Sequence, residues 1–97
     1  MIKKLNNSEE FSSIIKEGKW LVDFFATWCG PCKMLEPVLE DFSKDNNVLQ
    51  VDIDQFRELT DSFNIMSVPT LIFFENGTLK AQDVGYKSLD ELNDFIK

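Results

Sequence analysis

The 97 residues suffice for one small domain, since surface scaling leaves about 5,700 Å² exposed of roughly 16,000 Å² in the unfolded chain. The 43% hydrophobic and 28% charged fractions are those of an ordinary globular chain, and the absence of histidine excludes Ser-His-Asp and Cys-His nucleophile systems, histidine metal sites and histidine pH switches. Ten basic against seventeen acidic residues give a net charge of −7, which disfavours nucleic acid and anionic membrane surfaces as partners and leaves two cysteines to carry chemistry.

In chain order, residues 1–5 read as a short edge strand. Asn7 with Glu10 three residues on predicts a capping box, and Phe11, Ile14 and Ile15 then form an apolar stripe that Gly18 closes. Residues 20–26 are almost continuously apolar, the pattern of a strand covered on both faces. Leu35, Val38, Leu39 and Phe42 recur at helical spacing, and Pro37 inside that stripe predicts a lost backbone bond and a kink. Residues 48–53 are a third strand, after which Asp54 is expected to cap a short helix buried through Phe56, Leu59 and Phe63. Thr70–Glu75 and Thr78–Val84 flank Asn76-Gly77, a strong hairpin signal. Ser88 with Glu91 is a second capping box, ahead of Leu89, Leu92 and Ile96. The order βαβαβαββα predicts an α/β fold: a central mixed sheet of five strands between layers of four helices, with the last strand antiparallel. No linker or composition shift divides residues 1–97, so one domain is expected.

Two lysines near the N-terminus have no apolar run or small-residue cleavage site behind them, so residues 1–8 do not read as a signal peptide. No stretch approaches the ~18 consecutive apolar residues of a membrane helix. A cytoplasmic location is therefore expected, where structural disulfides are rare and a close cysteine pair is more often catalytic or metal-binding.

The pair lies in Trp28-Cys29-Gly30-Pro31-Cys32-Lys33, between a buried strand and the start of an amphipathic helix. A helix N-terminus offers unpaired N–H groups and the positive end of the dipole, which stabilise a thiolate, the nucleophilic form. Pro31 suits an opening turn, and Gly30 leaves the first sulfur open to another protein. Two other readings compete. A structural disulfide closing about four residues contributes only about 2 kcal/mol in the loop-entropy model. Half of a zinc site needs four ligands, and this chain offers two thiolates plus carboxylates. Asp23 is the second signal. A carboxylate amid apolar residues is costly to bury unpaired, so it either turns outward at an edge or bulge or has a chemical task.

The hexapeptide resembles the active site of the thioredoxin family, and the resemblance extends from Leu21 to Tyr86. The run Leu21-Val22-Asp23-Phe24-Phe25-Ala26-Thr27 is similar to the strand leading into that site, and Pro37 to the family's helix-kinking proline. Ser67-Val68-Pro69-Thr70 resembles the loop carrying its cis-proline, while Asn76-Gly77 and Val84-Gly85 fall where the family has a hairpin turn and a substrate-groove glycine.

The resemblance implies a thioredoxin-like three-layer sandwich and a protein-disulfide reductant. Cys29 would be the attacking thiolate and Cys32 the resolving thiol, less accessible because it lies further into the helix. Asp23 becomes the proton acceptor for Cys32, its pKa raised by desolvation. Lys33 either adds a small screened contribution to the thiolate or is an ordinary surface lysine. Val68 and Pro69 would pair with a substrate chain in strand-like fashion, with Trp28, Pro31, Met66, Gly85 and Tyr86 completing an apolar rim. Met66 could equally fill the core. No cofactor or metal would be bound. NADPH and FAD would enter only through a separate thioredoxin reductase, and a monomer is expected whose partners are that reductase and disulfide-containing proteins. A disulfide oxidase or isomerase, or a binding module that borrows the fold, are the alternatives. Gln50 stands where the family usually has lysine and Phe25 where tryptophan is frequent, so Asp23 lacks its customary cation. Asp45-Asn46-Asn47 is a short helix-to-strand connection.

Overall fold

A computed structural model describes residues 1–97. Its five strands are β1 (Ile2–Lys4), β2 (Lys19–Phe25), β3 (Asn47–Asp52), β4 (Thr70–Glu75) and β5 (Thr78–Val84), and its four helices are α1 (Phe11–Ile15), α2 (Gly30–Phe42), α3 (Arg57–Ser62) and α4 (Leu89–Phe95). The sheet order is β1-β3-β2-β4-β5. β1 and β2 run parallel to β3, while β4 is antiparallel to both β2 and β5. The predicted element order and mixed sheet are thus the observed ones. The exposed surface, 5608 Å², is close to what scaling predicts for the length.

Side chains alternate across the sheet and feed two cores. Trp20, Val22 and Phe24 of β2 meet Leu49, Val51, Ile72 and Phe74 on the face covered by Phe11 and Ile15 of α1, with Leu59 of α3 and Phe63 packed against them. Leu21, Val48, Leu71 and Phe73 meet Leu35, Leu39 and Phe42 of α2 and Leu92 of α4 on the other face. Residues 20–26 read as uninterrupted hydrophobics because β2 is the central strand, covered by helices on both sides. By the same alternation Asp23 belongs to the α2 face.

Three local expectations need correction. Asn7 caps through its Oδ1, but that oxygen accepts from Glu9 N at 3.0 Å and starts a single 3-10 turn (Ser8–Glu10). Glu10 makes no return bond, because the tighter turn brings the second amide to the cap rather than the third. Asp54 does not cap α3: Phe56 holds the cap position without a side-chain bond, and Asp52 Oδ1 instead accepts from the N–H groups of Asp54 and Gln55. Phe56, Leu59 and Phe63 are only half-buried, and Thr60 is the buried residue of α3. Gly18 lies three residues past the end of α1, at φ +80°, where the chain turns into β2.

Other signals hold. Asn76 and Gly77 both have positive φ, as a two-residue hairpin turn matched to strand twist requires. Asn76 is also tied to the turn after α1, donating its N–H to Gly18 O and accepting Gly18 N–H on Oδ1, both at 2.8 Å. Pro37 lies inside α2 and lacks the N–H that would bond to Lys33 C=O. The Ser88–Glu91 capping box is complete, with both reciprocal bonds made. Replacing Ser88 by Ala is expected to lower the unfolding free energy by about 1 kcal/mol, measured as a lower urea midpoint at unchanged slope.

Candidate functional site

β2 ends at Phe25, and residues 26–28 carry the chain to the N-terminus of α2. Cys29 is the N-cap, in extended conformation (φ −92°, ψ 115°), and its Sγ accepts the backbone N–H of Cys32 at 3.1 Å. Cys29 O accepts from Lys33 N, so the helix begins directly under the first sulfur. Cys29 and Cys32 are joined as a disulfide, with Cα atoms 5.3 Å apart. Gly30, Pro31 and Lys33 lie exposed in the first turn, and a Cβ at Gly30 would meet nothing within 4 Å. The expected contrast in accessibility is not found in this oxidised form: Cys29 is 4% exposed and Cys32 3%. Both are packed with Phe25, Ala26, Ile53 and Val68, because the bond draws the first sulfur in beside the second.

Asp23 lies on the sheet face beneath α2 and is 1% exposed. Its Oδ2 is 3.5 Å from Gln50 Nε2, a long contact, and its Oδ1 has no hydrogen-bond partner. Burial is the main reason that its pKa is pushed up to about 7; the Gln50 amide pulls it down and the negative charge of Glu36 pushes it further up. The outward-turned alternative for Asp23 is excluded.

The Val68–Pro69 peptide bond is cis, with Pro69 buried. Pro69 O accepts from Gly85 N at 2.8 Å, and Gly85 has φ +108°, a left-handed conformation that L side chains rarely adopt. Neither the N–H nor the C=O of Val68 is hydrogen-bonded within the chain. Beside this loop runs a groove of about 360 Å³ lined by Trp28, Ile53, Ile65, Met66, Ser67 and Val68. Met66 is 93% exposed, which rules out core filling. Tyr86 is exposed next to Gly85 but does not line the groove.

Sequence reasoning missed four participants. Asp54 Oδ2 accepts the Trp28 indole N–H at 2.8 Å, fixing an otherwise exposed ring beside the dithiol. Ile53 and Ile65 line the groove. Glu36 reaches the electrostatic environment of Asp23, and its signal was its place one helical turn after Cys32. No group of three or more His, Cys, Asp or Glu side chains is arranged to hold a metal, and no helix is long and apolar enough to cross a membrane.

The family model described as Thioredoxin matches residues 2–97. Curated relatives include a thioredoxin of Mycoplasmoides gallisepticum, 35% identical over 100 residues that cover 99% of this chain and 100% of the relative. Another, from Chlamydia trachomatis, is 43% identical over 93 residues covering 93% and 91% of the two chains. Among solved structures, a mutant thioredoxin from Halobacterium salinarum superposes with a TM-score of 0.92 at 33% identity, covering 98% of this chain and 87% of the other.

The raised Asp23 has a signed consequence for stability. Between the ordinary carboxylate pKa, 3.8, and about 7 the folded protein binds a proton that the unfolded chain has released, so stability falls as pH rises through that window and then levels off. The full difference amounts to about 4 kcal/mol. Asp23→Asn removes it. The variant is expected to be roughly 2–4 kcal/mol more stable than the parent at pH 8 and about equal at pH 4, by urea unfolding of the oxidised proteins. An increment independent of pH would refute the assignment.

Proposed function

This chain belongs to the thioredoxin family and is a protein-disulfide reductant, a thiol-disulfide oxidoreductase, and on that footing we propose that Cys29 is its attacking thiolate and Cys32 its resolving thiol. The observation that carries this reading is the position of Cys29 as N-cap of α2. Its Sγ faces the Cys32 N–H and the positive end of a 13-residue helix, both of which stabilise a thiolate once the disulfide is reduced. Cys32 is the third residue of α2, the helix that covers the sheet face on which Asp23 lies.

The cycle follows. The Cys29 thiolate attacks one sulfur of a partner disulfide, and the other partner sulfur leaves as a thiolate that takes a proton from water. Asp23, ionised, accepts the proton of Cys32. The Cys32 thiolate then attacks Cys29 Sγ, forming the Cys29–Cys32 bond and releasing the second partner thiolate. The chain has lost two electrons and the partner has gained them. A buried carboxyl with a pKa near 7 is matched to this proton transfer at neutral pH.

Recognition is assigned to the groove and the loop beside the dithiol. The unpaired N–H and C=O of Val68 offer strand-like hydrogen bonds to an extended segment, with Pro69 holding the loop against Gly85. Trp28 and Met66 give apolar contact, Pro31 borders the dithiol, and Tyr86 extends the rim past Gly85. Lys33, at the helix start, contributes only a screened charge. The chain acts as one domain over residues 1–97 and as a monomer in the cytoplasm. It is re-reduced by a separate thioredoxin reductase that draws electrons from NADPH through FAD.

Cys29→Ser is expected to abolish reduction of insulin disulfides, whereas Cys32→Ser retains attack and accumulates a mixed disulfide, visible as a mass adduct that dithiothreitol removes. A Cys32→Ser protein that forms no adduct would sink the division of roles. The Cys29–Cys32 couple is expected near −270 mV, the value typical of thioredoxins, by equilibration with glutathione or dithiothreitol; −120 to −180 mV would instead mark an oxidase or isomerase.

A further inference from the structure

A second opening reaches the dithiol at Cys32 and shares no lining residue with the groove. It is a cleft of about 340 Å³ lined by Lys4, Phe25, Ala26, Thr27, Cys32, Lys33 and Glu36, between α2 and the β1 edge of the sheet. Two features place charged groups on its walls. Lys4 of β1 is in register with Gln50 of β3, which is in register with Asp23 of β2, so the three lie in one row across the sheet. Because neighbours in register share a face, Lys4 and Gln50 lie on the α2 face with Asp23. Glu36 follows Cys32 by four residues on α2, so it stands one turn along the same helix face.

We propose that Glu36 and Lys4 are positioning residues for the resolving step, opposed charges on the two walls of this cleft that set how readily Asp23 takes up and returns the proton of Cys32. The proposal rests on Asp23 being the acceptor. Glu36 and Lys4 are both exposed while Asp23 is enclosed, so their fields reach it along a path that is partly protein and partly solvent. The Lys4 ammonium lies 5.8 Å from the centroid of the Phe25 ring, and both residues line the cleft. Phe25 lies two positions beyond Asp23 on the same face of β2.

The other elements around Asp23 add little charge. From β3 it meets the neutral Gln50, with Asp52 further along that strand; from β4 its register partner is Leu71; from α4 the buried residue on this face is Leu92; α2 brings Cys32, Lys33 and Glu36. Glu36 is the one charged side chain whose effect on Asp23 is resolved, and it disfavours the ionised form. Lys4 acts in the opposite sense.

The test uses oxidised, full-length protein labelled with 13C at aspartate carboxyls, with Asp23→Asn identifying the Asp23 resonance. Glu36→Gln is expected to lower the Asp23 titration midpoint by about half a pH unit and Lys4→Met to raise it by about as much. Both displacements should shrink in about 1 M salt, and the double variant should return close to the parent. Insulin reduction should follow, Glu36→Gln being about threefold faster than the parent below pH 6. Midpoints that stay put, or that move in the same direction, overturn the proposal, since a merely structural role gives neither opposite signs nor salt sensitivity. If the midpoints move as expected but the rate profile does not, or if that profile survives in Asp23→Asn, the acceptor assignment fails instead.

Discussion

Asp23 sits in the central strand with one carboxylate oxygen unpartnered and the other 3.5 Å from an amide. Keeping it ionised at neutral pH costs about 4 kcal/mol, a large share of the roughly 5–15 kcal/mol by which a domain is stable. The surrounding architecture follows from tolerating that cost. β2 is paired on both edges and covered on both faces, so the carboxyl cannot reach water by local fraying. α2, which covers it, also delivers the two sulfurs. The buried acid and the dithiol are therefore built by the same two elements, and neither can move without the other.

Charge and recognition are separated in space. The chain carries a net −7, yet the surface beside the disulfide is apolar and shaped by a cis peptide bond, a left-handed glycine and an indole pinned by Asp54. The backbone N–H and C=O of Val68 stand unpaired there beside hydrophobic side chains, a surface of the kind that pairs with an extended segment whatever its sequence. The net negative charge opposes approach to phosphate backbones.

Much of this was legible in the chain. Residues 20–26 declared a doubly covered strand because no polar alternation interrupts them, and Asn76-Gly77 declared the hairpin because few other pairs accept positive φ twice. The Ser88 box was readable for the same local reason. Asp54 and Glu10 misled because a cap depends on where the preceding turn places its amides: α3 has Phe56 at its cap position with no side-chain bond, after a turn that Asp52 holds, and a 3-10 turn follows Asn7. Equal burial of the two cysteines was invisible too, since it arises from the bond between them and from Phe25 and Val68 brought in from other elements.

The residues alone determined the element order, the dithiol at a helix start and an acid in an apolar strand, because each rests on neighbours a few positions apart. Tertiary structure decided what the acid experiences. Gln50 beside it, Glu36 and Lys4 on the walls of one cleft, and Asp54 against Trp28 are distant in sequence from their partners and meet only through strand register and helix placement. The starting arithmetic of two cysteines, no histidine and net −7 left proton transfer without an evident agent. Folding raises the pKa of one carboxylate to about 7 by removing water from it, and that dehydration is a property of the packed chain that no local stretch of residues contains.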